Sequence, residues 1–269
     1  MANRRRSSQV HVVTFTRSTP DTAAKVWVDA GGAVSWGDVA TVVNPWDEYS
    51  LEETIAIAKS GGGKSTVIAI GADLHNDALK HSLAMGINAA IRVEEVGADS
   101  HDSLVWSALA AGAIQKLGDV DLVIFGKESI DVATDQHSMQ LARRMGWTLL
   151  SFVSAIVDLD TAAGRIKVER TFEQGKQLVS APLPAVISVL KGINEPRYPN
   201  FLGIRKAAKA RIPVWTAADL GVELPASATS VLRYFNPPPR AVSNEIIAGE
   251  GVDDKVETLA TRLFEEKVL

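Results

Sequence analysis

Through the first 150 residues, short β-rich runs alternate with longer stretches of helical periodicity, and few folds accommodate that order. Val10-His11-Val12-Val13-Thr14-Phe15, Thr66-Val67-Ile68-Ala69-Ile70, Ala89-Ala90-Ile91-Arg92-Val93 and Leu122-Val123-Ile124-Phe125 are continuous apolar or β-branched segments, as strands covered on both faces should be. Between them Leu51, Ile55 and Ala58, then Leu79 and Leu83, then the stretch from Leu104 to Leu117 recur at helical spacing. Strands separated by helices in this way imply βαβ units with right-handed crossovers. The predicted class is α/β, with a doubly wound parallel sheet of Rossmann-like order.

From Phe152 the texture changes. Val153, Ala155, Val157 and Leu159 alternate with other residues, a turn is expected around Gly164, and Ile166 to Arg170 follows, which is antiparallel hairpin material. Gln177 to Ser180 and Ala185 to Val189 supply further strands, the second entered through Pro182 and Pro184. A polar, Pro-marked stretch covers Lys191 to Arg211. Pro237-Pro238-Pro239 reads as an extended spacer, and beyond it Val256, Leu259, Leu263 and Val268 set an apolar stripe on a last helix.

Composition narrows the function classes. The 269 residues are 46% hydrophobic, enough for one large domain with an appendage. Lys+Arg total 28 against Asp+Glu 32, so there is no global positive field to hold a nucleic-acid backbone. With no cysteine, thiolate metal sites, iron–sulfur ligation and Cys nucleophiles are excluded. No apolar run approaches the roughly eighteen residues of a membrane span. Arg4-Arg5-Arg6 precedes only a short apolar run and reads as a solvated tail, so a soluble cytoplasmic protein is expected.

Two motifs are decoys. Gly63-Lys64-Ser65 resembles the end of a phosphate-binding P-loop, but Ala58 stands where the pattern needs glycine, and the segment follows a helix instead of opening one. The expectation is an ordinary αβ turn. The histidines at 11, 75, 81, 101 and 137 show no paired metal spacing, and no Gly-x-Ser-x-Gly elbow occurs.

The informative feature is the end of the fourth strand, Phe125-Gly126-Lys127-Glu128-Ser129-Ile130-Asp131, followed by Asp135-Gln136-His137 opening a helical stripe through Leu141, Ala142 and Met145. In a parallel sheet this is the carboxyl edge where ligands bind, and the N–H groups of the new helix suit an anion. A plain loop capped by Asp135 accounts for the same residues. Asn44-Pro45-Trp46-Asp47-Glu48 precedes the Leu51 helix, and an ordinary Asx/Pro helix start with Trp46 buried would also explain it.

These segments, taken with Pro20-Asp21-Thr22-Ala23-Ala24-Lys25-Val26, Leu83-Ala84-Met85-Gly86, the Val168-Glu169-Arg170 to Leu183-Pro184-Ala185 segment and Asn194-Glu195-Pro196-Arg197-Tyr198, occur in an order that resembles the small, beta subunit of an electron-transfer flavoprotein. The resemblance runs from about Val10 to Val222. It implies an adenine-nucleotide alpha-hydrolase-like α/β fold with antiparallel additions and a C-terminal helical arm. It also implies an obligate heterodimer with an alpha subunit that carries the redox-active FAD, and a nucleotide of the chain's own, usually AMP. On this basis the chain divides into a basic tail (1–9), an α/β nucleotide-binding domain (10–222) containing a recognition loop (189–211), and a C-terminal arm and helix (223–269).

Carried across, the nucleotide pocket comprises Phe15, Asn44, Pro45, Trp46, Asp47, Ile70, Gly126, Lys127, Glu128, Ser129, Ile130, Asp131, Thr134, Asp135, Gln136 and His137. Trp46 falls where the family places an aromatic close to the alpha-subunit flavin, and Gly126 would allow close backbone approach to the ligand. Asp135-Gln136-His137 departs from the common Asn-Gln-Thr turn. The expectation is that Asp135 faces away, Gln136 donates to the phosphate and a protonated His137 offsets the carboxylate. Thr171 and Val132-Ala133 replace acidic residues common in the family.

Tyr198, Phe201 and Leu202 fall on the recognition loop, with Phe201 as the exposed anchor for flavin dehydrogenases. Arg205, Lys206, Lys209 and Arg211 follow as a basic cluster that would steer an acidic partner. The resemblance implies an electron carrier and not an enzyme, with a quinone oxidoreductase or another acceptor downstream, and no catalytic acid, base or nucleophile in this chain. Two alternatives stay open: a bifurcating version in which this subunit's nucleotide is a second, redox-active FAD, and a nucleotide-binding signalling protein of the universal-stress type.

Overall fold

A computed structural model describes residues 9–94, 102–133, 136–239 and 244–268. The tail arginines at 4–6, His101, and the turn residues Thr134 and Asp135 lie outside the described residues. The first compact unit runs to Tyr234. It begins with β1 (His11–Phe15), followed by four short strands, β2 (Ser18–Pro20), β3 (Trp27–Val28), β4 (Val34–Ser35) and β5 (Thr41–Val43), then α1 (Pro45–Ser60) and β6 (Lys64–Ile70). Next come α2 (Asn76–Met85), β7 (Ala89–Val93), α3 (Ser103–Leu117), β8 (Leu122–Gly126) and α4 (Gln136–Met145). The unit continues with β9 (Thr148–Asp160), β10 (Arg165–Phe172), β11 (Gly175–Pro182), β12 (Ala185–Val189), α5 (Phe201–Ala208), β13 (Val214–Trp215) and α6 (Ala217–Leu220).

The main sheet has nine strands in the order β11-β10-β9-β12-β8-β1-β6-β7-β13. From β9 to β13 every pairing is parallel, and β10 joins β9 and β11 antiparallel. Strand residues alternate faces. Val13, Phe15, Ile68, Ile70, Val123 and Phe125 pack against Leu109, Ala110 and Ile114 of α3 and Leu141 of α4. On the opposite face, Leu51 and Ile55 of α1 and Leu79 of α2 cover Val67 and Ala69. Burying one such Leu or Ile stabilises the fold by about 1.5–3 kcal/mol, so these two layers carry the sheet.

Local chemistry sets the helix starts. Pro45 occupies the first turn of α1, where its missing N–H is no loss, and Asp47 and Glu48 suit the positive end of the helix. Asp102 caps α3 by accepting from Leu104 N at 2.8 Å. The expected αβ turn is confirmed at Gly61 to Gly63: a Cβ on Gly63 would collide with the Val10 backbone, and the turn leads directly into β6. The P-loop alternative has no structural counterpart.

Three elements differ from the sequence expectation. The antiparallel pairing begins at Val153, as expected from Phe152 onward, but the strand that carries it, β9, already starts at Thr148, because it changes partner midway: it runs parallel to β12 from Thr148 and antiparallel to β10 from Val153. Phe152 marks the switch with a φ of 60° and an N–H donated to Ser188 Oγ. The strands β2 to β5 are two or three residues long, too short for periodicity to reveal. The recognition segment 189–211 is not all loop but contains α5, capped by Asn200 Oδ1 accepting from Gly203 N at 2.8 Å.

The second unit, Phe235–Leu269, contains α7 (Val252–Glu265), on which Val252, Val256, Leu259 and Phe264 are exposed. Among the described residues no helix is long and apolar enough to cross a membrane.

Gly203 sits where a Cβ would run into the Ala84 carbonyl at the end of α2, so α5 lies on α2 only because that position is glycine. Gly203→Ala should lower stability by about 1–3 kcal/mol, the usual scale of overpacking. Urea unfolding checks this, and an unchanged midpoint would mean that α5 is not seated on α2.

Candidate functional site

The chain moves outward from β1 through β6 to β7, then returns to β8 on the other side of β1. The order therefore reverses between β1 and β8, and ligands of such sheets bind outside the carboxyl ends of the strands at that point. There the structure has a cleft of about 1490 Å³. Its walls come from the ends of β1, β6, β7 and β8, from the 18–43 excursion, and from Trp106 and His137.

Of the residues expected from the sequence, Phe15, Asn44, Asp47, Ile70, Gly126, Lys127, Ser129, Ile130, Asp131 and His137 line this cleft. Segments more than a hundred residues apart meet here. Pro45, Trp46, Glu128 and Gln136 do not line it. Pro45 and Trp46 begin α1 beside the rim, where Trp46 is half-buried with Lys127 Nζ 5.2 Å from its ring centre. Lys127 also pairs with Glu128 at 3.4 Å. Gln136 turns toward α3, its Oε1 accepting from Ser103 Oγ at 3.2 Å.

Two contacts beside the cleft go beyond the sequence reading. A Cβ on Gly126 would lie 2.6 Å from the Trp46 carbonyl and 2.8 Å from Asp47 Oδ1. The glycine is thus needed for β8 to meet the first turn of α1. Asn44 does not cap α1 with its side chain. It reaches across to the β8–α4 loop instead, donating to the Glu128 carbonyl at 2.9 Å and accepting from Ile130 N at 3.2 Å. Of the ordinary Asx/Pro helix start, the Pro45 opening holds, while the Asx side-chain cap is not made and Trp46 is only half-buried.

The floor of the cleft is aromatic. Phe15 and Phe125 stack at 5.1 Å and 8°, Trp106 leans on both, and the His137 ring stacks on Trp106 at 4.0 Å and 15°. Burial, helped by the charge of Arg17, pushes the His137 imidazole down to about 4. The ring is neutral near pH 7, so it does not supply the cation expected at this turn.

That charge comes from Arg17, which no motif in the sequence singles out. Arg17 lines the cleft just past β1, its Nη2 is 2.9 Å from Asp131 Oδ2, and its buried Nε has no partner among the described residues. Ser129 in turn donates to Asp131. Arg92 was also missed: it is a buried cation in an otherwise apolar strand, with Nη1 donating to the Gly71 carbonyl at 3.0 Å. Each had a visible signal, a charge at the carboxyl end of a strand that both faces of the fold should cover. His75, buried beside them, accepts from Ser18 N at 3.1 Å and is pushed down to about 4 by burial and by Arg17.

A second surface is built from the same helix α1. Arg197 grips Glu52 with two bonds, Nε to Oε2 at 2.7 Å and Nη2 to Oε1 at 2.6 Å, which holds the Glu52 carboxyl below its ordinary range. Asn194 donates to the Tyr49 carbonyl and to Glu53 Oε2. Beyond this anchored base Tyr198, Phe201 and Leu202 are 95%, 77% and 75% exposed. Arg205, Lys206, Lys209 and Arg211 follow, also exposed.

Burial pushes the Asp47 carboxyl up to about 7, against the opposing pull of Asn44 and of Arg17. A folded pKa above the unfolded value means that this group's stabilisation is present at low pH and is lost as pH rises toward 7. The depressed His75 and His137 act in the opposite sense between about 6.5 and 4, so the comparison must be made against a variant. Asp47→Asn should gain on the wild type by about 2–4 kcal/mol as pH rises from about 4 to about 7, read from urea midpoints. A pH-independent difference would show that Asp47 titrates normally.

The model of the electron transfer flavoprotein domain matches residues 34–220. Over 266 residues the chain is 32% identical to a protein named FixA from Azotobacter vinelandii, with 95% of each chain covered. It is 29% identical to the CarD subunit of the caffeyl-CoA reductase-Etf complex of Acetobacterium woodii, covering 97% of this chain and 100% of that one. It is 32% identical to an electron transfer flavoprotein subunit beta from Syntrophomonas wolfei, with 94% of each covered.

Proposed function

The chain belongs to the electron transfer flavoprotein family as a beta-type subunit, and on that premise we propose that it pairs with an alpha subunit, binds an adenine nucleotide in the β1–β8 cleft and presents the segment after β12 to flavin dehydrogenases. The observation that carries this reading is the cleft itself, an aromatic floor beside an arginine at the reversal point of a doubly wound sheet. Family membership sets aside the universal-stress alternative.

The residues present fit a nucleotide. Phe15, Phe125 and Trp106 offer apolar faces to a base, and Arg17, with its unpartnered Nε, offers a cation to a phosphate. The start of α4 faces the same cleft through His137 and Ser138. Asn44 holds the intervening loop in place, which spares the ligand the work of ordering it. When bound, the FAD held mainly by the alpha subunit supplies the one- and two-electron chemistry. This chain's side chains orient, wall off and dock.

The nucleotide under this reading is AMP. A second FAD is the other candidate, and the cleft favours it in one respect: about 1490 Å³ exceeds the 300–1,000 Å³ that encloses most small ligands. Releasing the nucleotides of the co-expressed complex by acid and counting them separates the two. One FAD and one AMP per heterodimer supports the first, and two FAD the second.

Phe201 and Leu202 stand out from a base fixed by Arg197 and Asn194, an arrangement suited to a docking anchor. Replacing both by Ala should weaken electron acceptance from a cognate dehydrogenase about thirtyfold, equivalent to about 2 kcal/mol, with bound flavin and thermal stability unchanged. Unaltered transfer rates at low dehydrogenase concentration would remove the docking role.

A further inference from the structure

At the β6–β7 end of the cleft, Arg92 is a buried charge whose pairing is lopsided. Its side chain is 7% exposed, yet the carboxylate 2.6 Å from its Nη2, Asp73, is 84% exposed. A buried charge needs a close partner, and a carboxylate that remains in water is a weak one because solvent screens it. Nη1 is held by the Gly71 carbonyl, while Nε is buried without a partner among the described residues. Arg92, Asp73, His75 and Arg17 all line the cleft.

We propose that this end of the cleft is a second anion seat, in which Arg92, supported by Arg17 and His75, takes a phosphate or carboxylate group in place of Asp73. The exchange is sterically simple. Asp73 approaches Arg92 from the solvent side and stays largely hydrated, so it can leave without crossing the core, and an anion inside the cleft meets the same guanidinium. The positive field is already felt locally: after burial, the charges of Arg17 and Arg92 are what hold the His75 imidazole down, against the opposing charge of Asp131. Glu94 also lines the cleft, but among the described residues Asp73 is the carboxylate within ion-pair distance of Arg92. The anion is either a free ion or a charged group of the bound nucleotide, and in the second case the inference rests on the nucleotide reading above.

The test titrates inorganic phosphate, and separately AMP, into the nucleotide-depleted full-length complex at fixed ionic strength. Three variants are compared with the wild type: Asp73→Asn, Arg92→Gln and Arg92→Lys. Removing a competing carboxylate should tighten phosphate binding severalfold in Asp73→Asn, whereas Arg92→Gln should weaken it about tenfold, the scale of a charge-assisted hydrogen bond. Arg92→Lys should fall between them. If AMP shifts in parallel, the seat holds a group of the nucleotide. If phosphate alone shifts, the seat holds a separate ion, and the proposal stands even if the complex carries no nucleotide at all. Asp73→Asn is an exposed change that leaves the core untouched, so it decides the matter even where Arg92→Gln fails to fold. Phosphate binding that is absent, or unchanged or weaker in Asp73→Asn, would reduce Arg92 and Asp73 to a structural ion pair.

Discussion

The close approach of α1 to the end of β8 is the constraint on which the rest of the site depends. Gly126 permits it by having no side chain, and the Asn44 amide fixes it by bonding both the Glu128 carbonyl and the Ile130 N–H. Once α1 is set in this position, its first turn closes one side of the cleft through Asp47. One turn further along, Glu52 and Glu53 hold Arg197 and Asn194. A single helix therefore positions both surfaces on which the proposed function rests: the cleft at the strand ends and an anchored segment bearing exposed apolar residues. Two backbone groups of the loop after β8, the Glu128 carbonyl and the Ile130 N–H, are thereby satisfied by the protein itself.

The electrostatics of the cleft follow from burial. His75 and His137 are driven neutral, so their rings act as stacking surfaces and neutral hydrogen-bonding groups, and the fixed positive charge falls to Arg17 and Arg92. Both arginines are paired with carboxylates, Asp131 and Asp73, that sit in the connections following the strands. Each guanidinium is thus balanced locally by its own carboxylate, and where that carboxylate yields it is free for an anion without a large net field across the protein.

Much of this was legible in the sequence, because the four central strands are buried on both faces and so read as continuous apolar runs. The Gly126 to Asp131 segment was identifiable as a carboxyl-edge loop for the same reason. What escaped was decided by tertiary contact. Asn44 looked like a local helix cap but bonds a loop more than eighty residues away. Gly126 lines the cleft as its place at a strand end suggests, but the room it makes for Trp46 could not be read from the sequence. The protonation state of His137 depends on the Trp106 face that buries it, and α5 hides in a Pro-marked polar stretch because only Ala207 of its eight residues is buried. Arg17 and Arg92 were visible and were passed over, since a charge next to a strand reads as its terminus until the strand's place in the sheet is known.

The central claim is that a nucleotide occupies the β1–β8 cleft. Photolabelling the co-expressed complex with 8-azido-AMP, followed by mass mapping of the labelled peptides, tests it most directly. The account predicts label on the peptides carrying Phe15, Ile70 and the 126–137 segment, with protection by unlabelled AMP. Label confined to the partner subunit, or to peptides of this chain away from those strand ends, would contradict it.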